Sequence, residues 1–192
     1  MTEQIWWYTA RSGGIVALAL AGASVVWGLF LTTRLLDGKP SPRWLLDLHR
    51  FMGGATVIFT IIHVAGLMLD SYVNFTWSDI LIPMSASWKP GAVAWGIVAM
   101  YLLVAVELTS LAMKRLPRRF WRFVHMGSYL MAWTGVVHGA LAGTDGSNPL
   151  YIGGVSLMTL VIFYLTVFRI LAVKRRGGAR KSTAAKQPSA VS

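Results

Sequence analysis

HRFMGGATVIFTIIHVAGLML, residues 49–69, is the stretch on which the reading of the whole chain turns. It is apolar for long enough to cross the hydrocarbon of a bilayer, which takes roughly 20 helical residues. Yet it opens on His49 and carries a second imidazole at His63. Ionisable side chains inside lipid are costly and mark function by default. Fourteen residues separate the two, a rise of about 21 Å that returns the second ring to within about 40° of the first. The stretch therefore predicts a membrane-spanning helix with two imidazoles on one side, far apart in depth.

Outward from this segment, four more apolar stretches of similar length occupy residues 13–31, 91–113, 120–141 and 150–173. With 55% hydrophobic and only 13% charged residues in 192, the chain falls well below the roughly 25% charge of soluble domains. Backbone in lipid must satisfy its own hydrogen bonds, so the expected fold is an all-α integral membrane bundle of five spans. Residues 13–31 read as a retained span, because residues 2–12 lack the basic cluster of a leader. The net charge of +11 is spread in short clusters between spans: Arg34, Lys39 and Arg43; Lys114, Arg115, Arg118 and Arg119; then the tail from Lys174 to Lys186. That pattern reports orientation rather than nucleic-acid binding. It predicts the N-terminus outside and the C-terminus in the cytoplasm, with Arg11 and Lys89 on the outer side. Residues 1–173 form the expected membrane domain, and 174–192 a basic, disordered cytoplasmic tail.

The four histidines are His49, His63, His125 and His138, two on the second span and two on the fourth. These spans run in the same direction, so His49 faces His125 at one depth and His63 faces His138 at another. Two bis-imidazole haems, one above the other, require this arrangement. A proton relay or a haem-free, histidine-based proton or metal-ion transporter is the competing reading. The 13-residue step from His125 to His138 misses a common helix face by about 140°, so either the haems are offset around that span or the span bends. With no cysteine, disulfides, iron–sulfur clusters and covalent haem attachment are excluded.

Two segments carry a family resemblance: His49-Arg50-Phe51-Met52-Gly53 leading to His63, and RRFWRFVH (118–125) leading to His138. They resemble the ferric reductase-like transmembrane domain, over roughly residues 13–173. That family includes the membrane parts of NADPH oxidases and ferric reductases, and a bacterial haem subunit of the periplasmic methionine-sulfoxide reductase system. The resemblance implies His49 and His125 as axial ligands of an inner haem b, and His63 and His138 of an outer one. It implies a b-type cytochrome, the haem-carrying subunit of an oxidoreductase, in a cell membrane, bacterial and cytoplasmic by the same likeness. Electrons would pass from a cytoplasmic donor to an extracytoplasmic acceptor. A chain of 192 residues lacks room for appended FAD and NADPH domains, and its Gly-Gly pairs lack a dinucleotide-binding context. The expected donor is therefore a separate flavoprotein reductase or a membrane quinol, with any flavin or quinone supplied by that partner.

Other residues invite roles at such a site. Arg50, beside a ligand, is a candidate for a haem propionate, since a guanidinium fork matches a carboxylate; Arg122 and Arg11 are weaker ones. Glu107 lies inside the third span, where it could pair with Arg50 or Lys114 or handle protons for a quinol. Trp133 lies between the histidines of the fourth span. Met52, Met126 and Met131 read as packing, and the outer acids Asp70, Asp79 and Asp145 as solvated groups that could meet ferric iron.

Overall fold

The computed structural model describes residues 2–33, 41–144 and 147–185. Among them the chain is helical throughout, with no strand: α1 (Thr2–Thr33), α2 (Pro42–Leu69), the short α3 (Trp77–Leu81), α4 (Pro90–Leu111), α5 (Arg118–Ala142) and α6 (Pro149–Ala185). Prolines punctuate these starts, as expected where the missing N–H costs nothing. Pro42 and Pro90 open α2 and α4, Pro117 caps α5, and Pro149 opens α6. The Ser41 hydroxyl accepts the Trp44 amide of α2 at 3.3 Å.

Two antiparallel hairpins make the body of the fold. α1 packs along α2, α4 packs along α5, and α6 lies against α1. Glycines allow the α1–α2 backbones to touch: a Cβ at Gly66 would lie 2.7 Å from the backbone nitrogen of Ala10, and one at Gly13 would lie 3.0 Å from that of His63. Close backbone approach of this kind replaces the hydrophobic drive that helices lack in lipid. The hairpins meet through α1–α5 and, more sparsely, α2–α4, while α2 and α5 are not among the closely packed pairs.

Among the described residues, four helices are long and apolar enough to cross a membrane: Gln4–Leu31, Arg43–Leu69, Pro90–Leu111 and Pro149–Phe168. The expected fifth span falls on α5. It is long enough at 25 residues, but Arg118, Arg119, Arg122 and two histidines dilute its apolar character. Large apolar side chains such as Ile58, Leu108, Leu130 and Leu160 face outward, the reverse of a bundle built for water. α6 continues helical to Ala185, where composition suggested disorder from 174 onward; its Ala, Lys and Arg residues favour helix. Arg34, Lys39, Asp145 and Lys186 lie outside the described residues.

At the C-terminal end of α2, residues 70–89 fold back over the bundle. Phe75, Ile80 and Ala86 form a small core against Val64, Leu67, Val93 and Met100. Asp79 accepts the Thr76 amide at 2.8 Å and its hydroxyl at 2.7 Å, and these bonds hold its carboxyl below the usual range. Lys89, with φ 41°, donates from Nζ to the carbonyl of Leu141 at 3.1 Å and so ties this loop to the end of α5.

Gly66→Val is expected to destabilise the protein by about 1–3 kcal/mol, the usual cost of overpacking, because the added atoms meet backbone rather than a movable side chain. Thermal unfolding in detergent, compared with Gly54→Val where a Cβ meets nothing within 4 Å, checks it.

Candidate functional site: two histidine pairs

The histidines of α2 and α5 meet in the pairs expected from their depths. The ring centres of His49 and His125 are 6.0 Å apart, and those of His63 and His138 are 6.1 Å apart. Each ring also turns its Nδ1 toward a neighbouring helix. His63 Nδ1 lies 2.6 Å from the carbonyl of Ala10, His138 Nδ1 lies 2.8 Å from that of Ala92, and His49 Nδ1 lies 3.1 Å from that of Ser24. A carbonyl only accepts, so in these three the proton is on Nδ1. His125 Nδ1 is 3.3 Å from Ser110 Oγ, whose own proton goes to the Val106 carbonyl at 2.7 Å. The hydroxyl therefore accepts there too. All four imidazoles are the Nδ1–H tautomer.

A glycine four residues beyond the acceptor makes room for three of these rings. A Cβ at Gly14 would be 2.9 Å from His63 Nδ1, one at Gly28 would be 3.3 Å from His49 Cε1, and one at Gly96 would be 2.7 Å from His138 Nδ1. α1 thus presents the same notch twice, Ala10/Gly14 and Ser24/Gly28, at the 14-residue step that separates His49 from His63. Acceptor and histidine are 25 and 53 residues apart, a difference of twice 14, as strict antiparallel register requires.

α4 and α5 break that register. Their separations are 15 and 46 residues, a difference of 31 where a 13-residue step would give 26. α5 runs unbroken through both histidines, both rings reach their α2 partners, and His125 meets a serine hydroxyl in place of a carbonyl. The notches were missed in the sequence, although the matching 14-residue steps of Gly14–Gly28 and His49–His63 were there to be seen.

A cavity of about 350 Å³ surrounds the His63–His138 level, within the range of small-molecule sites. Trp7, Arg11, Gly14, Gly96, Trp88 and Tyr151 are among its walls. Its inner limit is reached at Ala21, Leu103 and Met131, which pack with Val57 as a layer midway between the two histidine levels.

The remaining sequence candidates fall variously. Arg50 is exposed and faces Asp47 at 3.7 Å rather than the histidine pair, an arrangement contributing about 0–1 kcal/mol. Arg11 lies over the Trp7 ring at 4.9 Å and borders the cavity. Arg122 is exposed. Glu107 is half-buried against Gly53 of α2 and, among the described residues, forms no ion pair with Arg50 or Lys114. Trp133 faces outward, as does Met126, whereas Met52 and Met131 are buried packing. Asp70 is buried and accepts the Tyr72 amide at 3.3 Å, Asp79 caps α3, and among the described residues no three His, Asp or Glu side chains gather. Trp121 stacks on His125 with ring centres 5.1 Å apart and planes at 26°.

The sequence profile described as "Ferric reductase like transmembrane component" matches residues 13–136. The chain belongs to this ferric reductase-like transmembrane family. The match takes in His49, His63 and His125 and stops two residues short of His138. No curated protein and no solved structure matches the chain. Membership establishes a multi-pass membrane domain with a redox, electron-transfer role, from a family whose members generally bind haem.

Gly14→Ala and Gly96→Ala are expected to push His63 and His138 from their notches and destabilise by about 1–3 kcal/mol each. Gly54→Ala, in open space, should stay within about 0.5 kcal/mol. Unfolding of the three variants in one detergent checks the ranking.

Proposed function

We propose that the chain is a di-haem b-type membrane cytochrome, with one haem between His49 and His125 and another between His63 and His138. The observation that carries this reading is the spacing of the rings. Bonds of about 2.0 Å from a metal to two imidazoles, plus about 1.1 Å from each nitrogen to its ring centre, separate the centres by about 6.2 Å. The measured 6.0 and 6.1 Å agree with that. Metal-ligating histidines characteristically donate their other N–H to a carbonyl or hydroxyl, which sets the tautomer and strengthens the ligand; all four Nδ1–H groups here do so. The spacing between α2 and α5, which are not among the closely packed helix pairs, suits a flat macrocycle. The pairs supply two donors per level, as a porphyrin that brings its own four nitrogens needs.

When bound, each haem supplies an iron that exchanges one electron between ferric and ferrous forms. The protein's part is to hold each ring pair in place through Ala10, Ser24, Ala92 and Ser110, to line the outer site with apolar walls, and to keep the two levels apart with Ala21, Val57, Leu103 and Met131. Potentials in such sites follow ligands, burial and nearby charge.

In this reading α5 is the fifth span and the His49–His125 end faces the cytoplasm. Arg43, Lys114, Arg115, Arg118, Arg119 and Arg122 collect at that end of the hairpins, and Arg11 and Lys89 at the other, in the sense of the positive-inside rule. Electrons enter at the cytoplasmic end from a separate flavoprotein reductase or from a membrane quinol, and leave to an extracytoplasmic acceptor. The basic inner end would draw an acidic reductase by complementary charge.

The test is optical. Purified protein should show low-spin b-type bands on reduction and two haems per chain by pyridine haemochrome. His49→Ala and His125→Ala should lose the same haem, and His63→Ala and His138→Ala the other. Loss in mixed pairs would overturn the pairing, and a colourless protein would return the histidines to proton or metal-ion transport.

A further inference from the structure

Among the described residues, α6 sends one side chain into the wall of the His63–His138 cavity, that of Tyr151. Its place is fixed from both ends. The Asn148 side chain accepts the amides of Leu150 at 2.9 Å and Tyr151 at 3.4 Å, which caps the first turn of α6. The hydroxyl end lies against α5, where a Cβ at Gly139 would be 2.8 Å from it and one at Gly143 would be 3.9 Å away. Both glycines line the same cavity, and Gly139 directly follows His138. Two missing side chains thus make room for a phenol at this histidine level. Its hydroxyl has no hydrogen-bond partner among the described residues. Unlike the indole nitrogens of Trp27 and Trp121, which protein covers, this oxygen keeps accessible surface.

The cavity changes character along its length. Toward Ala21, Leu103 and Met131 its walls are apolar. The two hydroxyls of α2 that line it are already spent, Thr56 on the carbonyl of Met52 and Thr60 on that of Thr56, each at 2.8 Å. The opposite end holds Arg11, Asp70, Thr144 and Tyr151. A b-type haem is apolar except for its two propionates, whose ionised carboxylates only accept hydrogen bonds. A group with one polar edge enters such a cavity with that edge at the polar end, where its carboxylates are not stranded among apolar walls. Asp70 already accepts the Tyr72 amide at 3.3 Å and, as a carboxylate, has no hydrogen to give. Tyr151 has one. We propose that the Tyr151 hydroxyl donates a hydrogen bond to a propionate carboxylate of the haem held by His63 and His138, and so orients that haem. This rests on the di-haem reading and gives α6 a part in the outer site.

The same helix contains a comparison. Tyr164 also lies on α6, but its side chain is 67% exposed and is not among the residues that line the cavity. Tyr164→Phe therefore removes the same hydroxyl from the same helix without reaching the site. Tyr151→Phe keeps the ring that packs over Gly139 and Gly143 and removes only the donor.

A hydrogen bond to a propionate offsets negative charge close to the iron, so its removal favours the ferric form. Redox titration of purified, two-haem protein is expected to show Tyr151→Phe lowering the reduction equilibrium of the outer haem by up to about tenfold, 59 mV for one electron. The inner haem should be unmoved, and Tyr164→Phe should leave both haems as in the wild type. Protein reconstituted with iron protoporphyrin dimethyl ester, whose propionates carry no charge, provides the second arm. There Tyr151→Phe should shift the outer haem much less than with ordinary haem, since the two changes remove one interaction. Infrared difference spectra on reduction read the bond in the wild type itself: a phenol C–O band should move when ordinary haem is replaced by the ester. That movement should be absent from Tyr151→Phe and kept by Tyr164→Phe. An outer potential indifferent to Tyr151→Phe, an equal response to Tyr164→Phe, an undiminished shift with the ester, or phenol bands unmoved by esterification would each overturn the proposal. A wild type that binds no haem would refute the function itself, so the two failures are told apart at the first spectrum.

Discussion

The arrangement depends on one requirement: an imidazole inside lipid cannot leave its second nitrogen without a partner. An unsatisfied polar group there costs several kcal/mol, and helical backbone has few acceptors to offer, because its carbonyls are already engaged four residues on. The chain meets this by bringing a second helix so close that a carbonyl can be shared with a ring, and that closeness is possible only where the next turn has no Cβ. Ala10 with Gly14, Ser24 with Gly28 and Ala92 with Gly96 are three uses of one device. α1 and α4 are in this sense scaffolds for histidines carried on α2 and α5.

This explains why the packing is uneven. The hairpins α1/α2 and α4/α5 are tight because each must clamp its own histidines, and the space between α2 and α5 stays open because the rings face each other there. The loop 70–89 closes the His63–His138 end of the bundle, with Lys89 tying it to the Leu141 carbonyl of α5. Tightness and openness come from the same contacts.

Much of this was legible in the sequence. The helices, the loop boundaries at prolines and the depth pairing of the four histidines all follow from apolar length and spacing, and the family likeness follows from two short segments. What was not legible depended on contacts between helices. Periodicity places His63 on a face but cannot say that Gly14 lies behind it. The 13-residue step on α5 left a bend or an offset open, and the Ser110 hydroxyl that meets His125 belongs to a second helix that spacing on α5 does not describe. Arg50 adjoins His49 in sequence, but neighbours along a helix diverge by about 100°, and spacing could not tell that its guanidinium faces Asp47 at 3.7 Å. Nor does spacing on α5 alone tell that the Trp121 ring stacks on His125.

The layer of Ala21, Val57, Leu103 and Met131 has an electrical meaning beyond separating two levels. Two hydroxyls buried near it, on Thr56 and Thr134, are turned back into their own helices, to the carbonyls of Met52 at 2.8 Å and Leu130 at 2.9 Å. Thr56 and Thr134 thus direct their hydroxyl protons within their own helices rather than across the layer. Such a septum sets apolar side chains between the two histidine levels, and in the di-haem reading it is the stretch that an electron would have to tunnel through.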